Sequence, residues 1–316
     1  MRGIEIARIR AARNVIDPVF LDTPVASHAT LDDALGCAVF AKVETLNPIR
    51  SFKGRGTEYF VAVDAAPGTA LVCASAGNFG QGLARAASKR GIACVVFAAT
   101  SANPLKIDAM RRLRAEVRLE GRDFDAAKDA ARAFARATGA RFVEDGAIPE
   151  IAEGAGTIGL ELAAQIRDLH DVVVPLGNGA LLAGVGEALR HAAPKARIVA
   201  VVADTAPAMK LSLETGKPVE TASTTTIADG IAVRVPVPEA LVHLRGRWDE
   251  IVAVGEADIV TAMRLAHAHL GLVVEPAGAA GLAAVAANRA RFAGRRVATI
   301  LCGGNVTREQ ASACLF

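Results

Sequence analysis

An α/β chain of two lobes, each a parallel sheet flanked by helices, is what this sequence predicts, and three observations predict it. Short apolar runs alternate with helical segments in two consecutive series, one from residue 70 to 144 and one from 172 to 301. Aromatic residues are only 4% of the 316, while alanine and glycine dominate, so helices can pack closely on strands through small side chains. Several apolar runs stop at glycine-containing turns. In open parallel sheets such turns gather along one edge, and ligands bind there.

Taken in order, Met1 to Asp17 interleaves Glu5, Arg8, Arg10 and Arg13 with apolar residues, which reads as an amphipathic helix and not as a secretory signal. An amphipathic helix is also expected to begin at Ser51-Phe52-Lys53-Gly54-Arg55-Gly56. In the first series the strands are 70–74, 92–98, 115–119 and 140–143, with helices at 81–90, 104–113 and 124–138 between them. The second series places strands at 172–176, 198–202, 251–254 and 297–301, with helices at 157–168, 181–192, 256–270 and 277–290. The polar run 221–226 and the proline-marked segment 234–238 read as loops.

Composition excludes several classes of function. The 36 basic and 33 acidic residues are dispersed, giving a formal charge of +3, so no face is built to neutralise nucleic acid. Apolar runs such as 92–99 are strand-length, far short of the roughly 20 residues a membrane span needs. Cysteines 37, 73, 94, 302 and 314 are odd in number and lack CxxC spacing, which points away from disulfides and zinc and toward a reducing cytoplasm. His267 and His269, two apart on a helical pattern, do not share a face.

Only eight of the 36 basic residues are lysine, so Lys53, beside an aromatic at a helix start, invites a chemical reading. A lysine there can carry a Schiff base, although the hexapeptide alone favours a solvated first-turn lysine. Three glycine turns after strand-like runs add weight: Ser75-Ala76-Gly77-Asn78, Gly177-Asn178-Gly179-Ala180 and Cys302-Gly303-Gly304-Asn305. In the second, backbone N–H groups at a helix start can converge on an anion. Gly154-Ala155-Gly156-Thr157-Ile158-Gly159 fits a dinucleotide fingerprint, but no buried strand precedes it and no acid follows at the required place. It reads instead as packing at the start of a helix. Cys302 reads as a neutral hydrogen-bond partner, since nothing basic adjoins it in sequence.

Together with Ile227-Ala228-Asp229-Gly230-Ile231-Ala232 and Glu275-Pro276-Ala277-Gly278, these motifs run in an order that resembles the fold type II, or tryptophan synthase β-like, pyridoxal-phosphate enzymes. Within that group the chain is most similar to the serine/threonine dehydratases, from about Thr23 to Thr307. The resemblance implies pyridoxal 5′-phosphate in the cleft between two lobes, with 1–63 and 145–316 as a large cofactor-binding domain and 64–144 as a small α/β domain. It implies Lys53 as Schiff-base lysine and then general base, with Phe52 packed near the ring. Asn78 would meet the ring hydroxyl, the backbone of Gly177, Asn178, Gly179, Ala180 and Leu181 the phosphate, and Cys302 the pyridine nitrogen; Glu275 joins the cofactor set. Ser75, Ala76, Gly77, Asn78 and Gly230 would receive the substrate.

The implied reaction is dehydration and deamination of a β-hydroxy amino acid, L-threonine and/or L-serine, to a 2-oxo acid and ammonia. Competing readings are 3-hydroxyaspartate or phenylserine dehydratases, β-replacement or threonine synthase-like enzymes, and a non-catalytic pyridoxal-phosphate-binding protein. Phe79 departs from the histidine usual after the asparagine, and Arg50 from a small residue or histidine. Ala76 stands where serine racemases carry a second serine, so racemisation is expected to be weak or absent. No metal is expected, with Lys210 in the place of a cation and paired with Asp204. The expected partners are a small amino-acid substrate and a second copy in a homodimer, with no nucleic acid and no membrane. The last motif lies near the end of the sequence, so effector control by an appended domain is not expected.

Overall fold

The computed structural model describes residues 2–102 and 104–316. Its ten strands are β1 (Val25–Ala26), β2 (Ala38–Val43), β3 (Leu71–Ala74), β4 (Cys94–Ala98), β5 (Glu116–Leu119), β6 (Arg141–Phe142), β7 (Asp171–Pro175), β8 (Arg197–Ala203), β9 (Glu250–Val254) and β10 (Arg296–Leu301). They form a six-stranded sheet in the order β1-β2-β10-β7-β8-β9 and a four-stranded sheet in the order β5-β4-β3-β6. All pairings are parallel except β1 with β2. The chain leaves the larger sheet after β2, builds the smaller one, and returns at β7.

Central strands of the larger sheet are buried on both faces, which is why they read as unbroken apolar runs. Along β8, Ile198, Ala200 and Val202 face one core with the helices Pro149–Gln165 and Ala180–Ala192, while Val199, Val201 and Ala203 face a second core with Glu256–Leu270 and Pro276–Ala287. Two bounds match the periodicity reading to the residue: the helices Phe124–Thr138 and Glu256–Leu270. Asp123 caps the first of these by accepting from Ala126 N, and Gly139 ends it at φ +72°.

Three expectations are corrected. The N-terminal helix is Ile6–Ala12, shorter than the pattern suggested, because Asp17 and Pro18 open a separate 3₁₀ turn; Met1 lies outside the described residues. The helix Lys53–Val63 is not amphipathic, since everything from Gly54 to Val61 is buried between the two sheets' helices. Gly154, Gly156 and Gly159 do not mark a helix start: they lie inside Pro149–Gln165, where Pro149 begins the helix. A Cβ on Gly154 would sit 2.5 Å from Arg55 O, and one on Gly156 2.8 Å from Gly184 O. The glycines let three helices touch backbone to backbone.

Candidate active site

The loops after β3, β6, β7 and β10 converge on a cavity of about 490 Å³. Lys53 reaches it because the start of its helix is tied to the end of β10. Phe52 N and Ser51 Oγ both donate to Cys302 O, at 3.1 and 3.2 Å, and Ser51 pairs with Gly303 in an isolated bridge. The Nζ of Lys53 lies 4.7 Å from the Phe52 ring centroid, 5.8 Å from that of Phe79, and 2.5 Å from Asp145 Oδ2.

At the other end, Leu176 N makes the last ladder bond to Val201 O, and the chain turns through Gly177, Asn178 and Gly179 into the helix Ala180–Ala192. Gly179 has φ +98°, a conformation in which a side chain is strained, and a Cβ on Gly177 would meet Gly230 O at 2.8 Å. Among the described residues, the N–H groups of Gly177, Asn178, Gly179, Ala180 and Leu181 donate to no protein acceptor. With Lys53, Phe52, Gly230 and Cys302 they line one small pocket. Unused donors at the start of a 13-residue helix make an anion cradle.

Between these ends, the Nδ2 of Asn78 donates to Glu275 Oε1 at 2.7 Å, and its Oδ1 accepts from Asn305 Nδ2 at 2.7 Å. The other carboxylate oxygen of Glu275 accepts from Asn305 N at 3.1 Å. Burial, with the nearby Asp229 carboxylate, pushes Glu275 up to about 7. Cys302 Sγ donates to Ala277 O at 3.6 Å, and burial pushes its thiol up to about 12, so it is neutral as the sequence suggested. Ser75 Oγ accepts from Gly77 N and Gly80 N at 3.2 and 2.9 Å, which shapes the loop that presents Ser75, Ala76, Gly77 and Asn78 to the cavity.

The structure therefore brings together every residue singled out in the sequence for the cofactor and the substrate: Phe52, Lys53, Ser75–Asn78, Gly177–Leu181, Gly230, Glu275 and Cys302. It leaves out Arg50, which is exposed and does not line the cavity. Lys210 is a correction: it pairs with Glu214 one helical turn on and not with Asp204, because both sit on the helix Ala208–Thr215 at i,i+4 spacing. Three charged residues were missed. Asp145 faces Lys53, Lys106 pairs with Asp229 across the cleft, and Arg234 pairs with Asp125 at 2.6 Å. Asp145 carried one usable signal, its place in the loop after the fourth strand of the first series.

Residues 16–303 match the family model described as pyridoxal-phosphate dependent enzyme. The chain belongs to this family. It is 35% identical over 305 residues to an L-threonine ammonia-lyase of Thermotoga maritima, covering 96% of this chain and 76% of that protein. The solved processed form of threonine deaminase isoform 2 from Solanum lycopersicum superposes with a TM-score of 0.89 at 28% identity, covering 99% of this chain and 88% of that one. Maize serine racemase superposes with a TM-score of 0.91 at 28% identity, covering 99% and 97%.

The cofactor of this pyridoxal-phosphate enzyme is pyridoxal 5′-phosphate. The residues present fit it: a primary amine, a neutral thiol and an asparagine amide stand on one side of a cradle of unused N–H donors. When bound, it supplies an electrophilic carbonyl for an amino group and a conjugated ring that draws electrons from the substrate's α carbon. Among the described residues, no helix is long and apolar enough to cross a membrane.

Proposed function

We propose that this enzyme is an ammonia-lyase that converts a β-hydroxy amino acid, L-threonine and/or L-serine, to a 2-oxo acid and ammonia. The observation that carries it is the placing of Lys53 Nζ between the anion cradle and the Ser75–Asn78 loop, in a chain whose relative of that activity is alike over nearly its whole length. The Nζ of Lys53 would attach the cofactor. The N–H groups of Gly177 to Leu181 would hold its phosphate, Asn78 its ring hydroxyl and Cys302 its ring nitrogen, with Phe52 beside the ring and Glu275 fixing Asn78. Ser75 to Asn78 and Gly230 would hold the substrate.

Once the substrate's amine has displaced it, the free amine of Lys53 takes the α proton. Loss of the β-hydroxyl as water, and return of a water in hydrolysis, leave the 2-oxo acid and ammonia. Residues 1–63 with 145–316 form the cofactor-binding domain in this reading, and 64–144, which holds β3 to β6, the small one. The protein acts in the cytoplasm as a homodimer. Release of 2-oxo acid should be measured across threonine, serine, 3-hydroxyaspartate and phenylserine, with threonine or serine the fastest. A protein that is yellow with cofactor yet releases 2-oxo acid from none of the four would overturn the reading.

A neutral partner at the ring nitrogen leaves room for a conservative exchange. Cys302→Ser should keep kcat/KM within about tenfold, because serine offers a similar neutral group, whereas Cys302→Asp would place a charge there and alter product partitioning. Complete inactivity of a folded, cofactor-loaded serine variant would count against this role for Cys302.

A further inference from the structure

Most charges around the cavity have fixed partners, Lys106 with Asp229 and Arg234 with Asp125. Asp145 is different. Its Oδ2 meets Lys53 Nζ at 2.5 Å, while its Oδ1 is buried and, among the described residues, has no hydrogen-bond partner. The side chains of the pair are only 15% and 11% exposed, so water screens them weakly. The backbone under Asp145 is pinned. Gly146 follows at φ +90°, with space for a Cβ denied by Asn178 O at 2.1 Å, and Gly146 O meets His243 Nδ1 at 3.2 Å. The carboxylate is thus held at one place while the lysine has a long, flexible stem.

Resting on the reading of Lys53 as the attachment point, we propose that Asp145 is the positioning residue that receives the Lys53 amine each time the substrate's amine displaces it and pairs with the ammonium that Nζ becomes on taking the α proton. In the proton transfer, the bond from the α carbon to hydrogen breaks with its electron pair left on carbon. A bond from Nζ to that hydrogen forms, and Nζ becomes positive. Asp145 stays negative throughout, so the pair is neutral after the transfer. Without the carboxylate, the new charge would lose its charged partner and keep the rings of Phe52 and Phe79 beside it in a largely buried pocket, where an unpaired charge is disfavoured.

The test begins with borohydride trapping and peptide mapping on the holoenzyme and its Asp145→Asn variant. Trapping at another lysine would overturn the underlying reading, and this proposal with it. With trapping at Lys53, kcat of Asp145→Asn should fall about 10- to 100-fold while KM changes by less than about threefold, and Asp145→Glu should recover part of the loss. A second readout uses cofactor-stripped protein. Acylation of Lys53 by an amine-directed reagent, followed by peptide mapping, should speed up about tenfold in Asp145→Asn, because the reagent must reach Nζ and the charged partner that holds it at 2.5 Å is gone. Asp145→Ser should show both changes without the bulk of the amide. Variants that trap at Lys53 yet keep kcat within about twofold and label at the wild-type rate would overturn the proposal.

Discussion

Lys53→Ala is expected to remove the Schiff-base absorbance and lower kcat by at least about 10³-fold, with far-UV dichroism and cooperative unfolding retained. The loss is large because one amine performs two tasks in the proposed reaction, as the attachment point and then as the base at the α carbon. The fold should survive because the outer part of the side chain fills no core. Its backbone is held by Ser51 and the end of β10, and those bonds do not involve the amine. Lys106 is the competing candidate, since it also lines the cavity. It is buried and tied to Asp229 from the helix Pro104–Arg112, with its side chain against Gly77. Borohydride trapping that maps to Lys106, or a Lys53→Ala protein that stays yellow and active, would overturn the assignment.

What was legible in the sequence was whatever had a local cause. Strands β3, β4, β7, β8 and β10 were readable because burial on both faces leaves a continuous apolar run, and helices with one buried stripe kept their 3.6-residue period. β2 was missed for a physical reason: Lys42, near its end, is fully buried, and a lysine in a core strand spoils the apolar signature. The long helix Pro149–Gln165 was cut short in the reading because its three glycines look like breakers, while their use is to admit neighbouring backbones. At the site, the glycine turns and Lys53 were readable from spacing and order. The pairings of those groups were not, because they join distant parts of the chain: Asp145, missed altogether, is 92 residues from Lys53, and Glu275, named only through the resemblance, is 197 from the Asn78 it holds. Lys210 shows the opposite case, where a local partner, Glu214, prevails over the more distant one that spacing suggested.

The second large effect lies two residues from Lys53. Arg55 is the largest fully buried side chain, and its guanidinium is shared by two buried carboxylates, Glu44 at 2.7 and 2.8 Å and Glu161 at 2.6 and 2.9 Å, with Thr157 and Thr23 at 2.9 and 3.1 Å. Lys42 Nζ completes the cluster at 2.7 Å from Glu161. Two cations thus balance two anions across β2, the Lys53 helix and the helix Pro149–Gln165. Arg55→Ala would leave two buried carboxylates with Lys42 and, at 3.4 Å from Glu161, the partly exposed Arg13; removing one partner of a buried pair costs roughly 3–5 kcal/mol. The melting temperature should fall by about 10 °C for a chain of this size. Arg55→Lys should recover little, since an ammonium cannot offer the planar fork that binds both carboxylates. The effect should also depend on pH. Burial alone would raise Glu161, but the hydrogen bonds and charges of Arg55 and Lys42 outweigh it and hold the carboxyl at about 2, against an ordinary value of 4.5. A lowered carboxylate contributes stability that is present above the unfolded value and lost as pH falls toward the folded one. The gap in melting temperature between wild type and Arg55→Ala should therefore be widest above pH 4.5 and should narrow as pH drops toward 2. A gap of less than about 2 °C at neutral pH would show that the cluster contributes little to stability. A gap that stays constant on acidification would show that Glu161 is not the group through which Arg55 acts.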